Sequence, residues 1–175
     1  MGYASGHPIR LISGRLALDF VNTADWSSVG EVTHEKLASL ADLGSWAKAV
    51  GLSRTMLPDD IGEAVAYRRA LRRLFLPASH AVDKCAADPF PHRGLLLDGT
   101  ARPPTHPPLL DMIATSALAL LSDPREMDRI KLCPGDDCGW LFLDETRNAR
   151  RKWCMMETCG NRAKAARHYA KSRAG

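Results

Sequence analysis

Apolar residues recur at helical spacing through most of the first 128 positions. Ile61, Ala64, Val65, Leu71, Leu74 and Phe75 keep one face of a 3.6-residue period; Pro58, Asp59 and Asp60 supply its start and Pro77 its end. A second helix carries Leu37, Leu40, Ala41 and Leu43 inward from a Thr33 cap, with Asp42 or Ser45 capping a further turn through Trp46 and Gly51 terminating it. A third follows Pro108 through Leu109, Leu110, Ile113, Ala117, Leu118 and Leu121, and Asp123-Pro124 stops it. Two readings stand for Arg15 to Thr23: Leu16, Leu18 and Phe20 alternate like a strand, while Leu16, Phe20 and Val21 share a helical face. Six of the eleven prolines fall between Pro89 and Pro108, which excludes a continuous helix there and leaves Leu95 to Leu97 as one short strand.

The pattern changes after Arg129. Ile130 and Leu132 alternate with charged neighbours as an extended entry, Trp140 to Leu143 reads as a strand, and Asp144 to Asn148 as a polar turn. Ala149 to Trp153 then returns as a second strand, and a helix runs from an Asn161 cap to about Ser172. No internal repeat is present. The expected architecture is mainly α: a helical domain over residues 1–128, followed by a small treble-clef-like module over 129–175 built from a β-hairpin and a helix.

Cysteine spacing supplies the chemistry of that module. Cys133 and Cys138 are separated by four residues, as are Cys154 and Cys159, and 15 residues lie between the pairs. Thiolates so spaced turn back onto one ion, and two such pairs close a four-sulfur tetrahedron around one structural Zn²⁺. The rival reading, two disulfides, requires an oxidising compartment for which the sequence gives no sign, and it leaves Cys85 unpaired. Cys85 reads as a buried or incidental thiol. Four cysteines close the coordination sphere, so the ion scaffolds and does not catalyse. No Ser-His-Asp, paired-carboxylate or phosphate-loop pattern stands out, His80, His92 and His106 lack matched ligands, and no enzyme is expected.

Charge points the same way as the cysteines. Thr146 to Gly175 holds nine of the 24 Lys and Arg residues and one acid, Glu157, for +8, so the remaining 145 residues carry −4. Such asymmetry marks a module that meets a polyanion or a solubilising terminus. Arg147, Arg150, Arg151 and Lys152 cluster before Cys154, while Lys164, Arg167 and Lys171 share one helical face with His168 at its edge. These seven Lys and Arg residues are the candidate nucleic-acid contacts. Ala165, Ala166 and Tyr169 lie on the opposite face, where they are expected to pack on the hairpin, and Trp140, Phe142, Trp153 and Tyr169 form a miniature core. Arg68, Arg69, Arg72 and Arg73 read as a solvated face, and Asp19, Asn22, Thr23, Asp25 and Trp26 as packing and capping positions more than as a ligand pocket. The apolar run Ala117 to Leu121 is far shorter than the roughly 20 residues of a membrane span, and no secretory signal is visible, so the expected location is cytoplasmic with no membrane partner.

Cys159-Gly160-Asn161-Arg162 resembles the tetrapeptide of the CGNR zinc finger, as do Cys133-x4-Cys138-Gly139-Trp140-x-Phe142-x-Asp144 and Arg150-Arg151-Lys152-Trp153-Cys154 around it. Lys152 stands where a third arginine is expected. Leu16-Ala17-Leu18-Asp19-Phe20-Val21-Asn22-Thr23 is similar to the opening of the ABATE domain that precedes this finger in bacterial proteins. The resemblance implies a stress-induced transcriptional regulator with a mainly helical N-terminal domain and a DNA-binding finger. Gly160, Asn161 and Arg162 then support the zinc site, while the N-terminal domain senses a small-molecule signal or forms a homodimer. The alternative is a zinc-scaffolded module that docks a protein or an RNA.

Overall fold

The computed structural model describes residues 1–27, 30–76, 108–135 and 138–173. Cys85, the Leu95–Leu97 strand, most of the Pro-rich stretch and the three histidines His80, His92 and His106 lie outside them. The described residues form six α-helices and four short strands: α1 (Leu16–Val21), β1 (Ala24–Trp26), β2 (Val32–Glu35), α2 (Leu40–Ala49), α3 (Ile61–Phe75), α4 (Leu109–Leu121), α5 (Pro124–Met127), β3 (Ile130–Leu132), β4 (Leu141–Leu143) and α6 (Asn161–Arg173), the last preceded by a π-helical turn (Met156–Gly160).

The ambiguous stretch Arg15 to Thr23 resolves as helix over Leu16–Val21. Ala17, Leu18, Phe20 and Val21 of α1 are all buried, because this short helix is wedged against α3 and α4 and has apolar neighbours on several sides. Thr33 does not cap a helix. It lies in β2, which pairs antiparallel with β1 around a bulge at Asp25/Trp26, and α2 starts instead at Ser39, whose hydroxyl accepts from the Asp42 amide at 3.3 Å. Gly51, at φ +82°, ends α2 as expected. Asp60 caps α3 by accepting from the Gly62 amide at 3.1 Å, and Asp123 caps α5 through the amides of Arg125 and Glu126. Leu118 and Leu121 are exposed, and Leu120 takes the inward position on α4 instead.

The four-arginine run of α3 is half buried, against expectation. Arg68 is 0% exposed: its guanidinium forms a double ion pair with Glu35 and donates to the Thr23 carbonyl at 3.3 Å. Arg72 is also buried and stacks 4.3 Å over the Trp26 ring. Arg69 and Arg73 remain exposed. The acids that balance Arg68 are distant in sequence, so the local charge pattern did not show them.

The hairpin of the C-terminal module differs from the expected one. β4 pairs antiparallel with β3, placing Ile130 opposite Leu143 and Leu132 opposite Leu141, while 149–153 forms no strand. Asp144 explains this. Its buried carboxylate collects the Thr146 amide (3.0 Å), the Thr146 hydroxyl (2.5 Å), the Arg151 amide (2.8 Å) and the Lys131 ammonium (2.6 Å), which curls the chain back immediately after β4. Ala149 completes the turn in the left-handed region at φ 49°.

Two apolar clusters result. The larger gathers α1 to α4 and includes Ile130, Leu141 and Leu143; the smaller contains Ala24, Trp26, Trp140, Phe142 and the four cysteines Cys133, Cys138, Cys154 and Cys159. Asn22 fastens them together. Its amide donates to the Leu141 carbonyl at 2.7 Å and its oxygen accepts from the Leu141 amide at 3.1 Å, so one side chain satisfies the free backbone edge of β4.

Two outcomes are expected. Asn22→Ala leaves both Leu141 backbone groups buried and unpaired, and it lowers unfolding free energy in urea by about 2–4 kcal/mol. Burial alone would raise the Asp144 carboxyl, yet Lys131 and Thr146 outweigh it and hold the group at about 2. Its contribution is therefore complete above the ordinary carboxylate range near pH 4 and is lost as pH falls towards 2. Asp144→Asn flattens that part of a stability-versus-pH titration.

Candidate metal centre

Each cysteine is positioned by a different local device. Cys133 and Cys138 flank the β3–β4 turn, where the Cys133 amide donates to the Trp140 carbonyl at 2.8 Å and the Cys138 amide to the Gly135 carbonyl at 3.2 Å. Gly139 follows at φ +55°, and a Cβ there would lie 2.7 Å from both the Trp26 Cβ and the Trp26 carbonyl oxygen. Only glycine accepts both conditions. Cys154 is held by Arg151, whose guanidinium donates to the carbonyls of Cys154 (2.5 Å), Ile12 (3.0 Å), Trp153 (3.2 Å) and Leu143 (3.3 Å) while lying 4.5 Å over the Phe142 ring. Cys159 sits in the π-helical turn, whose wider coil points it inward before α6 begins.

The four Sγ atoms lie within 4.8 Å of one another, and all four residues are buried. Cys138 and Cys154 are 3.5 Å apart, Cys154 and Cys159 3.6 Å. A tetrahedral Zn²⁺ with Zn–S bonds of about 2.3 Å spaces its sulfurs about 3.8 Å apart, so these positions fit one ion and need little adjustment. Hydrogen bonds from the Cys138 and Cys154 thiols push the Cys133 thiol far down, and donating those bonds, with burial behind it, holds the Cys138 and Cys154 thiols up. Four sulfurs this close ionise together only when a cation joins them.

Residues 129–172 match the model of the CGNR zinc finger, and residues 14–124 match that of the ABATE family, described as "Putative stress-induced transcription regulator". The chain belongs to the ABATE family. Its C-terminal finger is a zinc finger whose four cysteines form a site for one zinc ion. No curated protein matches the chain.

Within this family member the finger's tetrapeptide has a physical reading. Cys159 is a ligand. A Cβ on Gly160 would collide with the Met156 sulfur and come within 3.3 Å of the Trp153 ring, so close approach fixes this residue. No left-handed backbone is involved. Asn161 does not cap α6 by accepting; its side-chain amide donates back to the Glu157 carbonyl at 3.2 Å and ties the π turn to the helix. Arg162 reaches the Cys159 sulfur at 4.0 Å.

The basic residues separate into two groups. Arg147, Arg150 and Lys152 are exposed, with Lys152 5.0 Å over the Trp153 ring, and Lys164, Arg167 and Lys171 are exposed along α6. Arg151 differs, because its guanidinium is engaged with backbone carbonyls. Nothing in a run of three basic residues distinguished it. Trp140 and Phe142 are buried as expected and Trp153 is half-buried, but Tyr169 is 69% exposed and Ala165 and Ala166 are exposed as well. The main packing of α6 is on the π turn, and Ala165, Ala166 and Tyr169 stay exposed.

The N-terminal residues Asn22, Asp25 and Trp26 were not legible as finger-docking groups. The Trp140 indole donates to the Ala24 carbonyl at 3.1 Å and to Asp25 at 3.0 Å, and Asp25 in turn accepts from Lys36 at 2.5 Å. Asp19 serves locally, accepting from the amides of Ile12 and Ser13 at 3.0 Å, while the Thr23 hydroxyl donates to the Phe20 carbonyl at 2.7 Å and accepts from Arg68 at 3.3 Å. Among the described residues no helix is long and apolar enough to cross a membrane.

Elemental analysis of the purified chain is expected to give one zinc per molecule, and Cys133→Ser or Cys159→Ser to remove it. Gly139→Ala is expected to cost about 3 kcal/mol through strain and collision with Trp26. Its signature is a changed near-ultraviolet circular dichroism spectrum, because Trp26 and Trp140 must shift.

Proposed function

We propose that the chain is a DNA-binding transcriptional regulator in which α6 and the exposed bases of the preceding loop contact the phosphates of duplex DNA. The observation that supports this most is the state of α6. Its 13 residues include Arg162, Lys164, Arg167, Lys171 and Arg173, contain no acid, and have no buried member. A helix of that length extends about 20 Å, and its diameter of about 10–12 Å suits a major groove about 12 Å wide. Packing does not account for five cations on a helix with no buried residue; a polyanion does.

In this reading Lys164, Arg167 and Lys171 lie along the backbone of one groove, and Arg147, Arg150 and Lys152 reach adjacent phosphates. Arg151 is left out of the contact set, since its donors are already satisfied. Zinc orients the first turn of α6 through Cys159, so the metal sets the angle at which the helix leaves the body. Signal sensing or dimerisation is assigned to the ABATE half, whose family is described as a putative stress-induced transcription regulator, and no catalysis is assigned to the chain. The exposed Tyr169 favours a second reading, docking of a protein partner on the alanine face of α6.

Salt dependence of duplex binding separates the two readings. Each Lys or Arg that displaces a condensed counterion adds roughly 0.9 to the slope of log affinity against log salt. The triple variant Lys164→Ala, Arg167→Ala, Lys171→Ala is expected to flatten that slope by roughly two to three units with zinc content unchanged. Native affinity and slope in the triple variant would remove α6 from the DNA interface. Loss of binding in Tyr169→Ala with the salt slope intact would support docking of a protein partner, and tighter binding to single-stranded or duplex RNA would move the target class.

A further inference from the structure

A cavity of about 330 Å³ opens beside the sulfurs, between the N-terminal segment, the β1–β2 hairpin and the finger. Cys138, Cys154 and Cys159 line it and Cys133 does not; Arg10, Lys36 and Arg162 make its wall cationic. Cys159 also borders a second cavity, of about 250 Å³, between the metal-site turn and α6. A tetrathiolate site whose only task is to hold zinc has no use for an approach of this size to three of its four sulfurs.

The sulfurs on that approach are not equivalent. Cys133 accepts from the Cys154 amide at 3.4 Å. Such N–H···S bonds disperse thiolate charge and blunt its nucleophilicity. Among the described hydrogen bonds Cys159 has only long side-chain donors, Thr158 at 3.9 Å and Arg162 at 4.0 Å, and its neighbour Cys154 stands 3.6 Å away. A cavity alongside, a guanidinium within 4.0 Å and a second sulfur 3.6 Å away meet at Cys159.

We propose that Cys159 is a peroxide-reactive zinc thiolate, with Arg162 as its positioning residue and Cys154 as the resolving thiolate. The Cys159 sulfur attacks the terminal oxygen of a hydroperoxide; an S–O bond forms, the O–O bond breaks, and the departing oxyanion is stabilised by Arg162 until water protonates it. The Cys154 sulfur then attacks the Cys159 sulfur, forming the disulfide and releasing hydroxide. Two thiolates have given two electrons to the peroxide. The zinc ion keeps only Cys133 and Cys138 and leaves, and the turn that carries α6 loses its anchor.

The experiment uses zinc-loaded full-length chain, hydrogen peroxide and a chromophoric chelator, followed by alkylation and non-reducing peptide mapping. One zinc is expected to leave per disulfide formed, the first disulfide to be Cys154–Cys159, and Cys133 to be recovered as a free thiol at that stage. Arg162→Gln is expected to slow zinc release by roughly tenfold, less than the loss of one such donor in a closed site, and Arg162→Lys to restore part of the rate. A first disulfide containing Cys133, Cys138 or Cys85 overturns the proposal, as does native release from Arg162→Gln loaded to one zinc. Should Arg162→Gln fail to hold zinc at all, the mapping on the native chain still decides.

Discussion

Successive side chains of a strand point to opposite faces, and β4 has apolar partners on both. Leu141 and Leu143 enter the helical core, while Phe142 enters the cluster around the sulfurs. Three devices keep those residues in register. β3 pairs one backbone edge, Asn22 satisfies Leu141 on the other, and Asp144 turns the chain immediately afterwards. A slip of one residue would exchange the two faces and place Phe142 among the helices. The metal site and the helical domain therefore share a structural element, and neither is packed without the other.

Charge is buried more freely than the composition suggests, and each instance has its own compensation. Arg68 is matched by Glu35 and Lys36 by Asp25. Arg72 is treated differently. Among the described residues its Nε and Nη1 find no acceptor, and its guanidinium lies flat on Trp26, whose backbone is pressed against Gly139. Burial pulls it down to about 10, and the nearby Cys138 offsets part of that. A stacked guanidinium keeps its charge beside an aromatic face where an ammonium would demand water. This places a fixed cation behind the sulfur cluster on the side of the helical domain.

Much of this was legible in the sequence because it obeys short-range rules. The two cysteine pairs, the start at Asp60, the stops at Gly51 and Asp123-Pro124 and the amphipathic faces of α3 and α4 follow from spacing and local chemistry. What escaped depends on partners distant in sequence. Arg68 meets Glu35 33 residues away, Asn22 meets Leu141 across 119, and Arg151 reaches Ile12 across 139. The expected strand at 149–153 failed for a local reason that propensity does not capture, a single carboxylate with four donors. The opposite error was made for Tyr169, assigned to a core because an aromatic residue on a small module ordinarily needs one.

The exposure of α6 has a consequence for how such a protein changes over generations. A helix that packs into a core is constrained at every inward position, and altering what it recognises disturbs the body that carries it. None of the 13 residues of α6 is buried, so substitutions along it are felt by the rest of the molecule chiefly through the π turn at its base. Stability and recognition are thereby assigned to different residues. The finger supplies a fixed mount, and the rod attached to it is free to acquire a new surface without the fold having to be found again.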